Sequence, residues 1–360
     1  MKYEVTYIYS GGRGKKALNP EASDFFYGYL ELKRKNHNVH FIDLSDKKTN
    51  VLDKLILKLT KLPIYFSKAL TIKNLNIIRN SKNIILINES SYFSFLPLVI
   101  ISRKVNALFL PMGLMNKFDQ GNKLTKFIVK YSLRYSNKIL FIGKGELEDA
   151  KNKLPNHIKK YFYIPFSVDN NFWNYKRKSE WKIQKLLFIG NDLNRDFELL
   201  YKIAKHFNML EFIIVTENNG TDFSKLKNVN LIKGNWRSGY LKDKQILDLY
   251  HTVDLTILPL KESIQPSGQS VTLQAMSSGT PVMITKTSGF WDLQSFVDNE
   301  NIFFVEGTSL NDWIIKLNSL LNNSKILDNV SKNGCKTVED KFTVEMFLLN
   351  LGNYLVDIEI

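Results

Sequence analysis

Short apolar runs, each followed by a helix-length stretch, recur along this chain from end to end. In the first half KYEVTYIYS (2–10), NVHFIDL (38–44), NIILINES (83–90), ALFLPMG (107–113) and KILFIGKG (138–145) have strand composition. EASDFFYGYLELKRK (21–35) has helical spacing. Such alternation predicts parallel strands joined by helical crossovers, because a parallel pair cannot be closed by a tight hairpin. YFYIPFSVDNNFW (161–173) then leads into the charged, non-periodic NYKRKSEWKIQ (174–184), and the pattern restarts. KLLFIGN (185–191), EFIIVTE (211–217), NVNLIKG (228–234), DLTILPL (254–260) and PVMITKT (281–287) read as the second set of strands. The fold class expected is α/β, with two doubly wound, Rossmann-like domains facing each other. They span 1–173 and 185–340, joined by a linker at 174–184. The amphipathic end, 341–360, is expected to form a helix that crosses back to the first domain.

The chain has 360 residues and is 44% hydrophobic, enough for two cores. A single cysteine excludes an intramolecular disulfide and fits a reducing compartment. No signal peptide is visible at MKYEVTYIYSGG, and no apolar run reaches the length of a membrane span. The charge is unevenly spread. Residues 1–180 hold 32 Lys and Arg against 14 Asp and Glu, whereas residues 181–360 hold 18 against 21. One half therefore suits an anionic partner, a membrane surface or a nucleic acid. The stretch 51–82 carries seven cations, one acid and many Leu and Ile, and KLTKFIVKYSLRYSNK (123–138) adds to it. This composition fits a helix lying on an anionic bilayer, or a core-facing helix with snorkelling lysines.

In open parallel sheets, ligands bind beyond the carboxyl ends of the strands. KESIQPSGQSV (261–271) follows such an end and opens a helix, where free backbone N–H groups and the dipole favour phosphate. Gly268 lets backbone approach a ligand, and Ser267 and Ser270 can cap the helix or donate to phosphate. NDLNRD (191–196) follows another strand. There Arg195, a cation near a helix start, suits a diphosphate clamp. In the first half, Gly11 and Gly12 follow the first strand with Arg13 beside them, and Glu89 ends NIILINES.

These segments, in this order, resemble the retaining GT-B glycosyltransferases of the glycogen-synthase-like group, family four. YFYIPFSVDNNFW, LLFIGNDLNRDFELL, DLYHTVDLTILPL and PSGQSVTLQAMSSGTPVMITKTSGF each resemble a family motif, most sharply over about 185–290. The resemblance implies two domains across a cleft and transfer of a sugar from a nucleotide diphosphate sugar with retention. It also implies a departing diphosphate stabilised by side chains and helix dipoles without metal or other cofactor. Donor contacts would come from Gly190, Asn191, Arg195, Thr216, Glu217, Ser267, Gly268, Gln269, Ser270, Val271 and Gln274. Gln274 stands where the family has a ribose-binding glutamate. The acceptor side would use Gly11, Gly12, Arg13, Met112 and Gly113, and catalysis Arg195, Glu89 and Glu262. Two departures stand out. Pro266 occupies the place of the family's other glutamate, and the loop LPMGLMNKFDQG (110–121) lacks the histidine that the family keeps there. The acceptor expected is a saccharide, lipid-linked or part of a surface polysaccharide such as lipopolysaccharide. The enzyme would be cytoplasmic, peripheral on the inner face of the membrane. The alternatives are a GT-B glucosyltransferase acting on nucleic acid or protein, a sugar-nucleotide epimerase, and a donor-binding protein that has lost catalysis.

Overall fold

A computed structural model describes residues 3–44, 49–102, 104–178, 180–218, 220–234 and 241–360. Lys2, in the first expected strand, and Ser179, in the expected linker, lie outside the described residues. The chain forms two compact units. One comprises Met1–Pro165, Ile264–Pro266 and Val344–Ile360, the other Phe166–Ser263 and Ser267–Thr343. The units part after Pro165, ahead of the expected boundary at 173, because Phe166–Trp173 is packed into the second. The Val168 N–H donates to the Phe342 carbonyl at 2.8 Å, and the Trp173 ring lies 5.9 Å from Tyr250.

The first unit holds strands β1 (Tyr3–Tyr9), β2 (Val39–Asp43), β3 (Ser81–Ile87), β4 (Asn106–Leu110), β5 (Lys138–Phe141) and β6 (Tyr161–Tyr163). They form one sheet in the order β2-β1-β3-β4-β5-β6, and every neighbouring pair is parallel. The second holds β7 (Lys185–Ile189), β8 (Glu211–Thr216), β9 (Val229–Lys233), β10 (Leu255–Leu258), β11 (Val282–Thr285) and β12 (Phe303–Val305). Their order is β12-β11-β10-β7-β8-β9, again all parallel. The expected α/β class with two doubly wound sheets is what the chain adopts. Ile84, Leu86, Phe109, Ile139 and Phe141 are buried in the first core. Both faces of these strands are covered by helices, so apolar residues run without alternation.

Two helical expectations are corrected. The stretch 21–35 is broken where Tyr27 (φ 53°) and Gly28 (φ 85°) take left-handed backbone, leaving a helix at Tyr29–Arg34. A Cβ on Gly28 would stand 3.3 Å from Leu348 Cδ1, so the break also admits the C-terminal helix. The basic stretch 51–82, read as a helix on a bilayer or facing the core, forms three separate helices, Val51–Thr60, Phe66–Ala69 and Ile72–Arg79. Among the described residues no helix is long and apolar enough to cross a membrane.

The C-terminal segment joins the first unit through the helix Val344–Gly352 and the tail beyond it. Tail and sheet are tied by Asn83, which is fully buried on β3. Its Nδ2 donates to the carbonyls of Glu4 and Val356, both at 3.0 Å. Its Oδ1 accepts from the Val356 N–H at 2.9 Å and from Asn106 Nδ2 at 2.8 Å. Replacing Asn83 with Ala strands several buried partners, at a cost of about 1–3 kcal/mol for each group left unsatisfied. Asn83→Ala is expected to lower the melting temperature and to speed proteolysis within 353–360. An unchanged cleavage rate would show that the tail is held by other contacts.

Candidate functional site

In the second unit the strand order reverses between β7 and β10, which lie side by side at the centre of the sheet. The loops leaving their carboxyl ends are zipped together. Arg195 forms an antiparallel bridge with Leu260. The Asp196 N–H donates to the Pro259 carbonyl at 3.0 Å, and the Lys261 N–H to the Asn194 carbonyl at 2.9 Å. Asn194 Nδ2 donates to Ser267 Oγ at 2.8 Å. A sheet switch point is where an α/β fold opens a ligand crevice, and here the expected residues converge on it.

Arg195 is 4% exposed. Its guanidinium passes so close to Gly190 that a Cβ there would lie 2.3 Å from Arg195 Nε, and one on Gly268 would lie 3.6 Å from Nη1. The charge therefore sits between the end of β7 and the start of the helix Gln269–Ser277. Asp192 lies 3.4 Å from Nη1 as an ion-pair partner, while Nε and Nη1 have no hydrogen-bond partner. An arginine desolvated with two donors unsatisfied is costly unless an anion completes it. The helix begins at Gly268 (φ 83°), and no side chain caps it. Ser267 and Ser270 thus do not cap, contrary to one expectation; Ser267 Oγ is taken by Asn194. Gln269 and Val271 are buried in the first turn of the helix, and Ser270 is half-buried.

One turn beyond Ser270, Gln274 is buried, and its Oε1 accepts from the Tyr250 hydroxyl at 3.3 Å. Asn191 ties three loops together. Its Nδ2 donates to the Gly234 carbonyl at 2.9 Å, while its Oδ1 accepts from Thr216 Oγ1 at 3.1 Å and from the Glu217 N–H. Glu262 is exposed, and its Oε1 accepts from the Ser288 N–H at 2.9 Å and from Ser288 Oγ.

In the first unit the order reverses between β1 and β3. Gly11 (φ 73°) and Gly12 (φ 80°) turn the chain after β1, and the Gly14 N–H donates to Asp43 Oδ2 at 2.7 Å. Arg13 Nη1 donates to the Ser10 carbonyl at 2.9 Å, and its guanidinium lies 5.9 Å from the Tyr27 ring centroid. After β3, Asn88 takes left-handed backbone (φ 68°) and its Nδ2 donates to Ser10 Oγ at 2.6 Å. Asparagine tolerates this region better than most residues.

Glu89 is buried and accepts the Met112 N–H at 2.8 Å. A second buried carboxyl, Glu146, accepts the Met115 N–H at 3.0 Å, and its Oε2 has no hydrogen-bond partner. Two carboxyl groups thus hold one turn, Met112–Met115, that contains Gly113 (φ 123°). Burial raises the pKa of Glu89, against the Lys117 charge and the Met112 N–H, which lower it. Burial also pushes Glu146 up to about 8, with the Glu89 charge adding to the effect. Within the same unit Gln265 Nε2 donates to the Met112 carbonyl at 3.0 Å, and Pro266 packs on Gly143, where a Cβ would meet it at 2.9 Å.

Comparison with known proteins bears on both sheets. The family model described as "Glycosyl transferases group 1" matches residues 184–323. HepE from Anabaena, solved with UDP, is 11% identical at a TM-score of 0.70, over 99% of this chain and 100% of that one. A glycosyltransferase from Rickettsia africae is 13% identical at 0.69, over 98% of each chain. Sucrose-phosphate synthase from Thermosynechococcus elongatus is 14% identical at 0.70, over 98% of each. The fold is GT-B. No curated protein sequence matches.

On this GT-B chain, sequence reasoning missed Asp192, Asn194 and above all Glu146. The segment KGELEDAKNK around Glu146 is mostly polar, with Leu147 and Ala150 its buried apolar residues, so nothing in it marks one carboxyl as buried. Among the described residues no group of His, Cys, Asp and Glu is arranged to hold a metal. The raised Glu146 pKa carries a sign. A carboxyl with a native pKa near 8 and an ordinary unfolded value binds its proton more tightly when folded. Stability should therefore fall as pH rises from about 4.5 to about 8, by at most about 1.4 kcal/mol per unit. Glu146→Gln is expected to flatten that decline in melting temperature between pH 5 and pH 8, leaving the contribution of Glu89, whose pKa burial also raises. Parallel declines in variant and wild type would place the proton elsewhere.

Proposed function

We propose that this protein is a glycosyltransferase that takes its sugar from a nucleotide diphosphate sugar and transfers it, with retention, to a saccharide acceptor carried on a lipid. The observation that carries this reading is the buried Arg195 guanidinium, with two donors unsatisfied beside an uncapped helix start. A departing diphosphate develops negative charge as the bond between the anomeric carbon and the phosphate oxygen breaks. On this reading Arg195 and the backbone N–H groups of Gln269–Val271 take that charge, and no metal is required. In a front-face displacement, the acceptor oxygen bonds the anomeric carbon on the side the phosphate leaves, and its proton passes to the departing phosphate oxygen. No protein histidine is needed for that step, in keeping with the loop 110–121.

The family match spans this whole loop system. HepE, of the same fold, has been solved with UDP and with UDP-glucose, which supports a nucleotide-sugar donor. Gln274, an amide on the helix face of Ser270, suits the ribose hydroxyls because it both donates and accepts. On the first unit, the turn fixed by Glu89 and Glu146 is our candidate for the acceptor side. Glu262, held by Ser288, is a weaker catalytic candidate than the sequence suggested. The reading places the enzyme on the cytoplasmic face of the membrane, in surface polysaccharide assembly.

The test is titration calorimetry with nucleoside diphosphates, followed by turnover of a sugar-nucleotide panel. Arg195→Ala should weaken diphosphate binding at least tenfold, in line with about 1.5–3 kcal/mol for a charged hydrogen bond, without lowering the melting temperature. Equal affinity in variant and wild type would remove Arg195 from the donor site. Donor binding without turnover for any donor and acceptor offered would favour the binding-protein reading, to which Pro266 already lends weight.

A further inference from the structure

The helix Val51–Thr60 is turned inside out. Its buried positions are Asp53 and Thr60, whereas Val51 is 82% exposed, Leu55 51% and Leu59 55%, with Leu52 beside them. At 100° per residue these four side chains share the outward face, and Lys54 and Lys58 line one edge of it. The inversion is fixed by hydrogen bonds. Asp53 accepts from the Ser67 N–H at 3.2 Å and from Ser67 Oγ, and the Thr60 carbonyl accepts from Thr125 Oγ1 at 2.6 Å.

Thr125 belongs to a second helix, Lys123–Ser132, with the same outward character. Leu124, Phe127 and Tyr131 are exposed along one stripe that Tyr135 continues; the Phe127 and Tyr131 rings touch at 4.4 Å, and Arg134 lies over Tyr131. Lys123, Lys126 and Lys130 border this stripe. The helices adjoin, since Asn122 Nδ2 donates to the Leu59 carbonyl at 2.8 Å. The only carboxylate in either helix is the buried Asp53.

We infer that these two outward faces seat the first unit on an anionic lipid bilayer. An apolar stripe edged by lysines matches the boundary between acyl chains and acidic headgroups, where apolar side chains insert and each cation adds attraction. Two other occupants fit less well. The aliphatic face of Val51–Thr60 offers no flat ring on which bases could stack, and the Phe127 and Tyr131 rings of the second helix lie against each other. A second copy would bring two faces of the same positive sign together. The surface is separate from the donor residues, so it deepens the lipid-linked acceptor reading without resting on Arg195.

Flotation of the full chain with vesicles decides the matter. The wild type should float with vesicles containing phosphatidylglycerol, should bind pure phosphatidylcholine at least tenfold less, and should lose binding in about 1 M salt. Leu55→Ser/Leu59→Ser/Phe127→Ser should cut the bound fraction at least tenfold, with melting temperature and nucleotide affinity unchanged. Should that variant misfold, Lys54→Glu/Lys58→Glu/Lys126→Glu/Lys130→Glu leaves the apolar residues in place and should show the same loss. Failure of the wild type to float, or undiminished flotation of the variants, overturns the inference. So does tighter retention on single-stranded nucleic acid than on vesicles, or a dimer in light scattering that the serine variant dissolves. Nucleotide affinity measured on the same preparations keeps this outcome distinct from failure of the donor-site reading.

Discussion

Parallel pairing is the constraint on which the rest of this molecule depends. Because every named strand pairs in parallel, each sheet collects all its strand ends on one edge. The loops there can vary without disturbing the ladder. In the second sheet, β7 and β10 are neighbours in space but far apart in sequence. Their loops meet only because β8 and β9 continue on one side and β11 and β12 on the other. The bridge between Arg195 and Leu260 is a consequence of that order. So is the approach of Arg195 to both Gly190 and Gly268, since the two glycines leave strand ends that stand next to each other.

The two units solve opposite electrostatic problems at the same place in their sheets. In the second, a buried cation is left with one carboxylate at 3.4 Å and two unsatisfied donors. In the first, two buried carboxyls share a single turn, and burial keeps the protonated form of Glu146 near neutral pH. A core designed only for stability would contain neither arrangement, since apolar side chains of similar size do as well or better. The cation side fits a ligand that brings negative charge. The carboxyl side fits a turn whose backbone must be held still, because each carboxyl spends one oxygen on a main-chain N–H of Met112–Met115.

The strands were legible because buried parallel strands are continuous apolar runs, as in NIILI and KLLFI. Arg195 was legible because a cation close to a helix start is electrostatically odd in sequence as well as in space. The need for glycine at 190 was not, since the 2.3 Å approach that demands it comes from a side chain five residues further on. Glu146 was invisible for a different reason. Hydropathy averages over a helix, and one buried carboxyl in a polar helix leaves no mark. The break at Tyr27–Gly28 was missed because spacing on both sides of it is helical. Gly28 at the break lies against Leu348, from the far end of the chain, a contact that local spacing does not show.

The helix Val51–Thr60 shows the limit of periodicity most sharply. Spacing tells which residues share a face; it does not tell which face turns inward. The ordinary assumption is that leucines go in. Here Asn50 caps the first turn and Asp53 is bonded to Ser67, so the polar side is the one fastened to the protein. Once Asp53 is buried with its partner, the leucines have no direction left but outward. An aliphatic face held toward solvent by buried hydrogen bonds is not a packing accident that relaxation would remove, because turning it inward would pull Asp53 away from Ser67 and leave the Ser67 N–H and hydroxyl without their acceptor. The excess of positive charge in the same half of the chain then acts on that face: it discourages self-association and leaves an acidic, apolar-backed surface as its natural complement.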